Sequence, residues 1–134
     1  MIQIVKDSDT RPWFFLQTAH TTYGIRVMET GHLEHLYYGE RITVDSQDPA
    51  SCAPLVIQRA FAPGNTCTYD REHPQISMED VCLEVGTLGK GDIREPFLEV
   101  RFADGSVTSD FTFDSYKIIT LKEREQCLQD SGLP

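Results

Sequence analysis

Two histidines three residues apart, His32 and His35, are the first residues of this sequence whose chemistry suggests a site. Imidazole nitrogens are common metal ligands, and two of them must face the same ion to share it. The surrounding residues predict a strand, where positions three apart point to opposite faces, so the pair cannot meet at one ion without a bulge. His20 and His73 have no partner at metal-binding spacing. We therefore predict surface or half-buried histidines and no metal site.

Carboxylates are numerous, but no pair of them stands out as catalytic. The chain has 21 Asp and Glu residues, among them the neighbours Glu79 and Asp80. Glycoside hydrolysis needs two carboxyl groups at a defined separation across a sugar, and the sequence singles out no such pair. It also contains no nucleophile elbow, phosphate-binding loop or dinucleotide fingerprint. We predict no catalytic residues and no cofactor, with the acids forming a solvated surface.

The cysteines lack the CxxC spacing that serves zinc or redox chemistry. The N-terminus has no basic stretch ahead of an apolar one, so we expect no signal peptide. Together these features predict reduced thiols and a cytoplasmic location, while the sequence alone leaves an oxidised pair open. The four cysteines are Cys52, Cys67, Cys82 and Cys127.

Length and charge narrow the classes of function. With 134 residues the chain suffices for one domain. It is too short for a barrel enzyme, which needs about 250 residues. The 12 Lys and Arg residues against 21 Asp and Glu give a formal net charge of −9. Such an acidic surface repels phosphate backbones and anionic lipid headgroups, so we exclude nucleic-acid and membrane partners, whereas neutral sugars remain compatible.

Short runs of β-branched and aromatic residues between turn formers predict an all-β fold, a mainly antiparallel β-sandwich. The clearest hairpin joins residues 98–102 to 107–113 through Asp104-Gly105, and a second pair turns at Gly31. We expect the sandwich in residues 1–121 and a linker, frayed helix or truncated continuation in 122–134. The predicted strands are Ile2–Val5, Trp13–Thr18, Thr22–Met28, Leu33–Tyr38, Leu55–Phe61, Val81–Val85, Phe97–Phe102, Val107–Phe113 and Tyr116–Leu121.

Residues 41–96 form an irregular connection in which Pro and Gly interrupt any regular element, and such a connection is usually functional or interfacial. Aromatic rings could stack on sugars, but most of those on strands should be core, with Tyr69 the expected exception. Asp92 and Arg94 either contact a neighbouring domain, a sugar hydroxyl or each other, or belong to a plain glycine-rich turn. The aromatic set is Trp13, Phe14, Phe15, Tyr23, Tyr37, Tyr38 and Tyr69.

Several blocks of this sequence resemble, in order, the N-terminal part of bacterial α-galactosidases of glycoside hydrolase family 36. Together they cover most of the chain, which makes the match specific in a way that no single block would be. The blocks are residues 27–39 (VMETGHLEHLYYG), 63–66 (PGNT), Tyr69-Asp70, 77–80 (SMED), 89–96 (GKGDIREP) and 103–111 (ADGSVTSDF).

The resemblance implies the beginning of a large β-sandwich that precedes a TIM barrel, with both catalytic aspartates in the barrel and none in this chain. It implies a supporting role in a homo-oligomer, in which N-terminal loops pack near the barrel mouth of the same or a neighbouring subunit. There they help to shape the pocket for α-galactoside oligosaccharides. We place such a loop at Arg59–Asp70, with Asn65, Tyr69 and Asp70 adjacent to substrate, and assign Asp92 and Arg94 to an interface. No metal or organic cofactor is implied.

Two other functions stay open from the sequence. One is a stand-alone carbohydrate-binding β-sandwich with exposed aromatic rings, and the other is an oligomerisation module with a large apolar self-interface. A sandwich that stops at Pro134 would have unpaired strand edges and uncovered apolar surface. We therefore expect the isolated chain to dimerise, exchange elements or aggregate.

Overall fold

A four-stranded antiparallel sheet forms the first third of the chain, in a computed structural model that describes residues 1–7, 9–57, 68–119 and 123. Consecutive strands are neighbours, in the order β1-β2-β3-β4. They agree with the first four predicted strands to within one or two residues, which confirms the all-β, mainly antiparallel fold. The strands are β1 (Ile2–Lys6), β2 (Pro12–Gln17), β3 (Thr21–Val27) and β4 (Leu33–Glu40).

Short polar side chains close the turns between these strands. In the β1–β2 turn the Asp7 carboxylate accepts hydrogen bonds from the backbone N–H groups of Asp9 and Arg11, at 3.0 and 2.9 Å. In the β2–β3 turn the Thr18 hydroxyl oxygen accepts from the N–H of Thr21 at 2.9 Å. These local bonds fix the register of each hairpin, because they form within the turn itself.

One face of the sheet carries the hydrophobic core. Val5, Trp13 and Phe15 on this face pack with Val44 and Cys52, which come from the segment after β4 and from a 3-10 helix at Pro49–Leu55. Phe15 is fully buried and lies opposite Gly24 in the ladder. A Cβ at Gly24 would meet the Phe15 ring at 3.1 Å, so glycine makes room for the largest fully buried side chain among the described residues.

The described residues cover only part of the opposite face of the sheet. Phe14 contacts the rings of Phe113 and Tyr116, with centroids 6.0 and 5.1 Å away, so the chain near residue 113 crosses this end of the face. At the other end Leu16 lies opposite Tyr23, and Tyr23 lies opposite Tyr38. Tyr38 is 70% exposed and Tyr69 is half-buried. Of the seven aromatic residues considered from the sequence, only Trp13 and Phe15 are buried, so the expectation that most of them would be core was wrong.

The later predicted strands do not form ladders within the described part of the chain. Residues 81–85 contribute a single bridge, Glu34 to Leu83, and residues 97–102, 107–113 and 116–119 belong to no strand. Leu55 ends the 3-10 helix instead of starting a strand; residues 58–61 and 120–121 lie outside the described ranges. The Asp-Gly turn itself is present, with the Phe102 N–H donating to the Ser106 carbonyl at 2.9 Å and Gly105 at φ +86°. The predicted hairpin therefore keeps its turn and lacks its ladder, since a ladder also needs partner backbone along its whole length.

Among the described residues, no helix combines the length and apolar character needed to cross a bilayer. Cys52 and Cys82 are free thiols, the first buried and the second exposed. Cys67 and Cys127 lie outside the described residues, as does most of the predicted linker at 122–134.

Candidate functional site

The carboxylate of Asp110 is the centre of a polar cluster that joins four distant parts of the chain. Its Oδ1 lies 2.7 Å from Nε2 of His32, and its Oδ2 accepts a hydrogen bond from the Tyr69 hydroxyl at 2.8 Å. The Lys90 ammonium group lies 3.5 Å from Oδ2. We call these four residues the Asp110 cluster. It links the β3–β4 turn to the irregular segment and to the chain after Gly105.

Aromatic contacts reinforce the Asp110 cluster. The His32 ring meets the Tyr69 ring edge-on, with centroids 4.9 Å apart and planes at 85°. Lys90 Nζ lies 5.8 Å from the centre of the same tyrosine ring, at cation–π distance. The other ring nitrogen of His32, Nδ1, lies 2.8 Å from the Thr30 hydroxyl. Both nitrogens of His32 thus have partners, which allows the side chain to be buried.

His32 corrects one prediction made from the sequence. It was expected at the surface or half-buried, and the whole residue is only 3% exposed. It precedes β4 and turns inward because Thr30 and Asp110 provide hydrogen-bond partners for both of its nitrogens. The contact with Asp110, 78 positions away, cannot be recognised from the residues next to His32 in the sequence. His35 is half-buried as expected, with Nδ1 at 3.0 Å from Glu84 Oε1.

The electrostatics of the cluster favour an ionised Asp110 and a neutral Tyr69. Burial by itself raises the pKa of Asp110, but the hydrogen bonds from Tyr69 and His32, with the charges of His32 and Lys90, outweigh it and lower that pKa below its usual value. Burial, together with the hydrogen bond to Asp110, raises the pKa of Tyr69 to about 12. The tyrosine therefore keeps its proton and serves as a donor over the ordinary pH range.

Tyr69 begins a closed turn whose polar groups are satisfied internally. Its backbone N–H donates to the Ile76 carbonyl at 2.8 Å, and the Ile76 N–H donates to the His73 carbonyl at 3.0 Å. Asp70 Oδ1 accepts from the N–H of Glu72 at 2.9 Å and from the N–H of His73 at 2.7 Å, and it lies 2.9 Å from His73 Nδ1. Burial by itself raises the pKa of Asp70, but these contacts together outweigh it and lower that pKa.

Asp92 and Arg94 form an ion pair inside the glycine-rich segment. Arg94 Nε donates to Asp92 Oδ1 at 2.8 Å, and its Nη2 donates to Asp92 Oδ2 at 2.9 Å. The same Nη2 donates to the carbonyls of Met78 and Val81, at 3.0 and 2.6 Å. The hydrogen bond from Arg94 is the main reason that the pKa of Asp92 is lowered. The contact of Asp92 and Arg94 with each other, one of those considered from the sequence, is therefore present.

A second cluster of polar side chains lies on the face of the sheet opposite the core. The Tyr23 hydroxyl donates to the Glu84 carboxylate at 2.6 Å, and His35 contacts the same carboxylate. The bond to Glu84, with burial as the next cause, raises the pKa of Tyr23 to about 12. These contacts tie the segment after Cys82 to β3 and β4, beside the bridge between Glu34 and Leu83.

A cleft of about 300 Å³ lies between the start of β4, the β1–β2 turn and residues 75–81. Arg26 and Glu34, paired across β3 and β4, line it with Nε and Oε2 2.6 Å apart. The Arg26 guanidinium also lies over the Trp13 ring, 5.5 Å from its centre. Within the described ranges no group of three or more His, Cys, Asp or Glu residues is placed to hold a metal ion.

The predicted site residues lie in different parts of the structure and do not form one site. Tyr69 belongs to the Asp110 cluster and Asp70 caps the adjoining turn, whereas Asp92 and Arg94 pair elsewhere. Asn65 lies outside the described residues. Sequence reasoning did not single out Asp110 or Lys90 individually. The available signal was that His32, Tyr69, Lys90 and Asp110 each fall within one of the blocks that carry the family resemblance.

The loop before Lys90 is packed closely against the chain that carries Asp110. Gly89 has φ +94°, and a Cβ there would lie 2.5 Å from the Thr108 hydroxyl, whereas Gly105 has φ +86° and open space around it. We expect Gly105→Ala to lower the free energy of unfolding by about 1–2 kcal/mol through its left-handed backbone. Gly89→Ala should lose about 1–3 kcal/mol more through overpacking. Urea unfolding measures both, and equal losses would contradict the close contact with Thr108.

The described residues form a β-rich domain whose polar clusters join the four-stranded sheet to the segments that follow it. Comparison with protein families matches residues 31–134 to the glycosyl hydrolase family 36 N-terminal domain. This chain therefore belongs to that family, and the resemblance inferred from the sequence is confirmed.

Individual relatives agree with this assignment. A bifunctional alpha-galactosidase/sucrose kinase, AgaSK of Mediterraneibacter gnavus, is 34% identical over 122 residues, covering 90% of this chain and 12% of that protein. Alpha-galactosidase AgaA of Geobacillus stearothermophilus is 28% identical over 111 residues, covering 83% of this chain and 14% of that protein. The chain thus spans a small part of the length of these relatives.

Solved structures give the same result. The crystal structure of the alpha-galactosidase from Lactobacillus brevis superposes with a TM-score of 0.68 at 32% identity, over 84% of this chain and 14% of that one. The galactosidase domain of AgaSK gives a TM-score of 0.64 at 27% identity, over 86% of this chain and 15% of that one. These matches confirm the prediction that this chain corresponds to the N-terminal region of family 36 proteins.

Proposed function

We propose that the protein carrying this domain hydrolyses terminal α-linked galactose from oligosaccharides such as melibiose or raffinose. The family assignment supports the proposal, since two relatives that match most of the chain are named as alpha-galactosidases. The reaction would proceed with retention of configuration, through two carboxylates outside this chain and without a cofactor. The domain itself would be non-catalytic.

The role proposed for the domain is to support assembly and the rim of the sugar pocket. Its partner would be the catalytic barrel of the same or a neighbouring subunit in a homo-oligomer located in the cytoplasm. The segment Arg59–Asp70 is the proposed rim loop, with Asn65, Tyr69 and Asp70 as the residues adjacent to the sugar. Asp92 and Arg94 would contribute to an interface by stiffening the backbone around Met78 and Val81, whose carbonyls Arg94 binds.

An assay with p-nitrophenyl α-galactoside tests the proposed activity. The protein encoded by the gene that contains this domain should release nitrophenol from the α-galactoside and not from the β-anomer. The isolated 134-residue chain should release none from either. NMR of the first-formed sugar should show the α-anomer. A full-length protein that is inactive on α-galactosides would contradict the proposal. Hydrolysis by the isolated chain at an enzymatic rate would also contradict it.

A carbohydrate-binding module is the second candidate, and one observation favours it. Tyr38 lies on the face of the sheet opposite the core and is 70% exposed. The centroid of its ring is 5.9 Å from that of the Tyr23 ring, which meets it edge-on. Exposed tyrosine rings can stack on the C–H face of a pyranose. Calorimetric titration of the chain with melibiose tests this role, with Tyr38→Ala as control. Absence of heat would exclude it at the concentrations used.

A further inference from the structure

The cleft between the start of β4, the β1–β2 turn and residues 75–81 has a buried hydroxyl in its wall that lacks a hydrogen bond. Ser77 lines this cleft and is 5% exposed, and its Oγ has no hydrogen-bond partner within the described residues. A buried polar group without a partner costs free energy, and a bound molecule can satisfy it. A serine hydroxyl changes direction by rotation about one bond, so Ser77 Oγ can meet a molecule seated in the cleft.

The ion pair in the same wall offers further donors and an acceptor. Arg26 Nε donates to Oε2 of Glu34, whose side chain is 7% exposed. Within the described part of the chain, the two Nη groups of Arg26 and Oε1 of Glu34 form no hydrogen bond. The bond to Glu34 and the contact with the Trp13 ring hold the guanidinium in place. A ligand group that both donates and accepts, such as a hydroxyl, satisfies both partners at once.

The charges and the volume of the cleft favour a small neutral molecule. Its described lining has four carboxylates against two guanidinium groups, an excess of negative charge that disfavours an anion. Each of the four carboxylates already has a partner within the chain, which disfavours a cation. The volume of about 300 Å³ lies at the lower end of the range for small-molecule sites. The charged residues are Asp7, Glu29, Glu34 and Asp80, with Arg11 and Arg26.

We propose that this cleft binds one neutral sugar ring, whose hydroxyl groups form hydrogen bonds with Arg26, Glu34 and Ser77. Neighbouring hydroxyls of a sugar both donate and accept, and the C–H groups of its ring can pack on the apolar side chains that also line the cleft. The inference does not depend on the proposed hydrolysis. The site also differs from the sugar contacts proposed above, because Tyr38, Tyr69 and Asp70 do not line this cleft.

Ser77→Ala is the sharpest variant, because it removes a hydroxyl that has no partner among the described residues. The free energy of unfolding should stay the same or rise, since no hydrogen bond within the chain is lost. We expect the Kd of the cleft for a neutral hexose to rise about 3- to 10-fold, the equivalent of one hydrogen bond.

Ser109→Ala is the matched control. The Ser109 hydroxyl is also buried and without a partner among the described residues, but Ser109 does not line the cleft. This variant should therefore bind the hexose with the Kd of the wild type, and its stability should change as little as that of Ser77→Ala.

Hydrogen–deuterium exchange of the full-length protein, followed by mass spectrometry of peptides covering residues 75–81, measures binding at this cleft. Galactose and glucose, two neutral hexoses, serve as probes. The one that protects more should slow exchange of these peptides in the wild type and in Ser109→Ala, and a higher concentration should be needed in Ser77→Ala. Galacturonate, which carries a carboxylate, should protect less than galactose.

Unchanged exchange of residues 75–81 at saturating concentrations of both hexoses would overturn the inference. Equal midpoints of protection in Ser77→Ala and the wild type would also overturn it, as would galacturonate that protects as strongly as galactose. A full-length protein that is protected by a hexose but inactive on α-galactosides would contradict the proposed function and support this inference. An active protein without protection would overturn this inference alone.

Discussion

Replacing Phe15 with alanine should lower the free energy of unfolding by about 3–5 kcal/mol, the usual cost of truncating a fully buried phenylalanine. Phe15 is 0% exposed and packs in the core with Val5, Trp13 and Val44. Its ring lies over Gly24, which has no side chain to move into the space. The cavity would therefore collapse poorly, and the loss should lie in the upper part of the range.

Urea unfolding followed by tryptophan fluorescence measures this effect, because Trp13 belongs to the same core. The midpoint should fall while the slope stays the same, which indicates a change in stability and not in the surface exposed on unfolding. Phe97→Ala is the control, since Phe97 is 77% exposed, and it should change the stability by no more than about 0.5 kcal/mol. A Phe15→Ala variant as stable as the control would contradict the core described above.

Replacing Asp110 with alanine should lower the free energy of unfolding by about 2–4 kcal/mol, because two donors, His32 Nε2–H and the Tyr69 hydroxyl, lose their acceptor. His32 has a side chain only 4% exposed, so water replaces the lost acceptor poorly there. The Asp110 side chain itself is 22% exposed, which limits the loss at Tyr69. Asp104→Ala, which removes an acid from the exposed turn, should cost less.

The stability gap between wild type and Asp110→Ala should depend on pH in a defined direction. The pKa of Asp110 in the folded chain is lower than its ordinary value, so its ionised form is the one that folding favours. Its contribution is therefore complete above the unfolded pKa, about 3.9, and is lost as pH falls through the lower folded pKa. Urea midpoints of both proteins from pH 7 down to pH 3 should converge. A gap that widened with acid would contradict the assignment.

The first four strands could be predicted from the sequence because their signals are local. Each is a run of five to eight residues rich in apolar, β-branched and aromatic side chains, and short connections carry turn-forming residues such as Asp7, Thr18 and Gly31. Neighbouring strands linked by short turns pair with each other, so each strand finds its partner nearby. The same reasoning gave the Asp104-Gly105 turn, which forms whether or not its flanks pair.

The prediction of strands at residues 97–102 and 107–113 was wrong for the described chain. Residues 98–102 alternate apolar and polar side chains, yet the described chain leaves both segments without ladders. Phe97 and Phe102 remain substantially exposed, while Phe113 packs on Phe14 of the sheet. Sequence patterns indicate that a segment is fit for a strand, whereas pairing requires a second backbone at the right distance and register.

The sequence by itself determined the all-β class, the acidic surface and the resemblance to family 36, because each depends on residue types and their order along the chain. The Asp110 cluster was decided by the tertiary structure. His32 and Asp110 are 78 positions apart, and Tyr69 and Asp110 are 41 apart, so no local pattern connects them. A hydrogen bond of this kind forms only where the fold brings donor and acceptor to within about 3 Å, and that distance is a property of the packed chain as a whole.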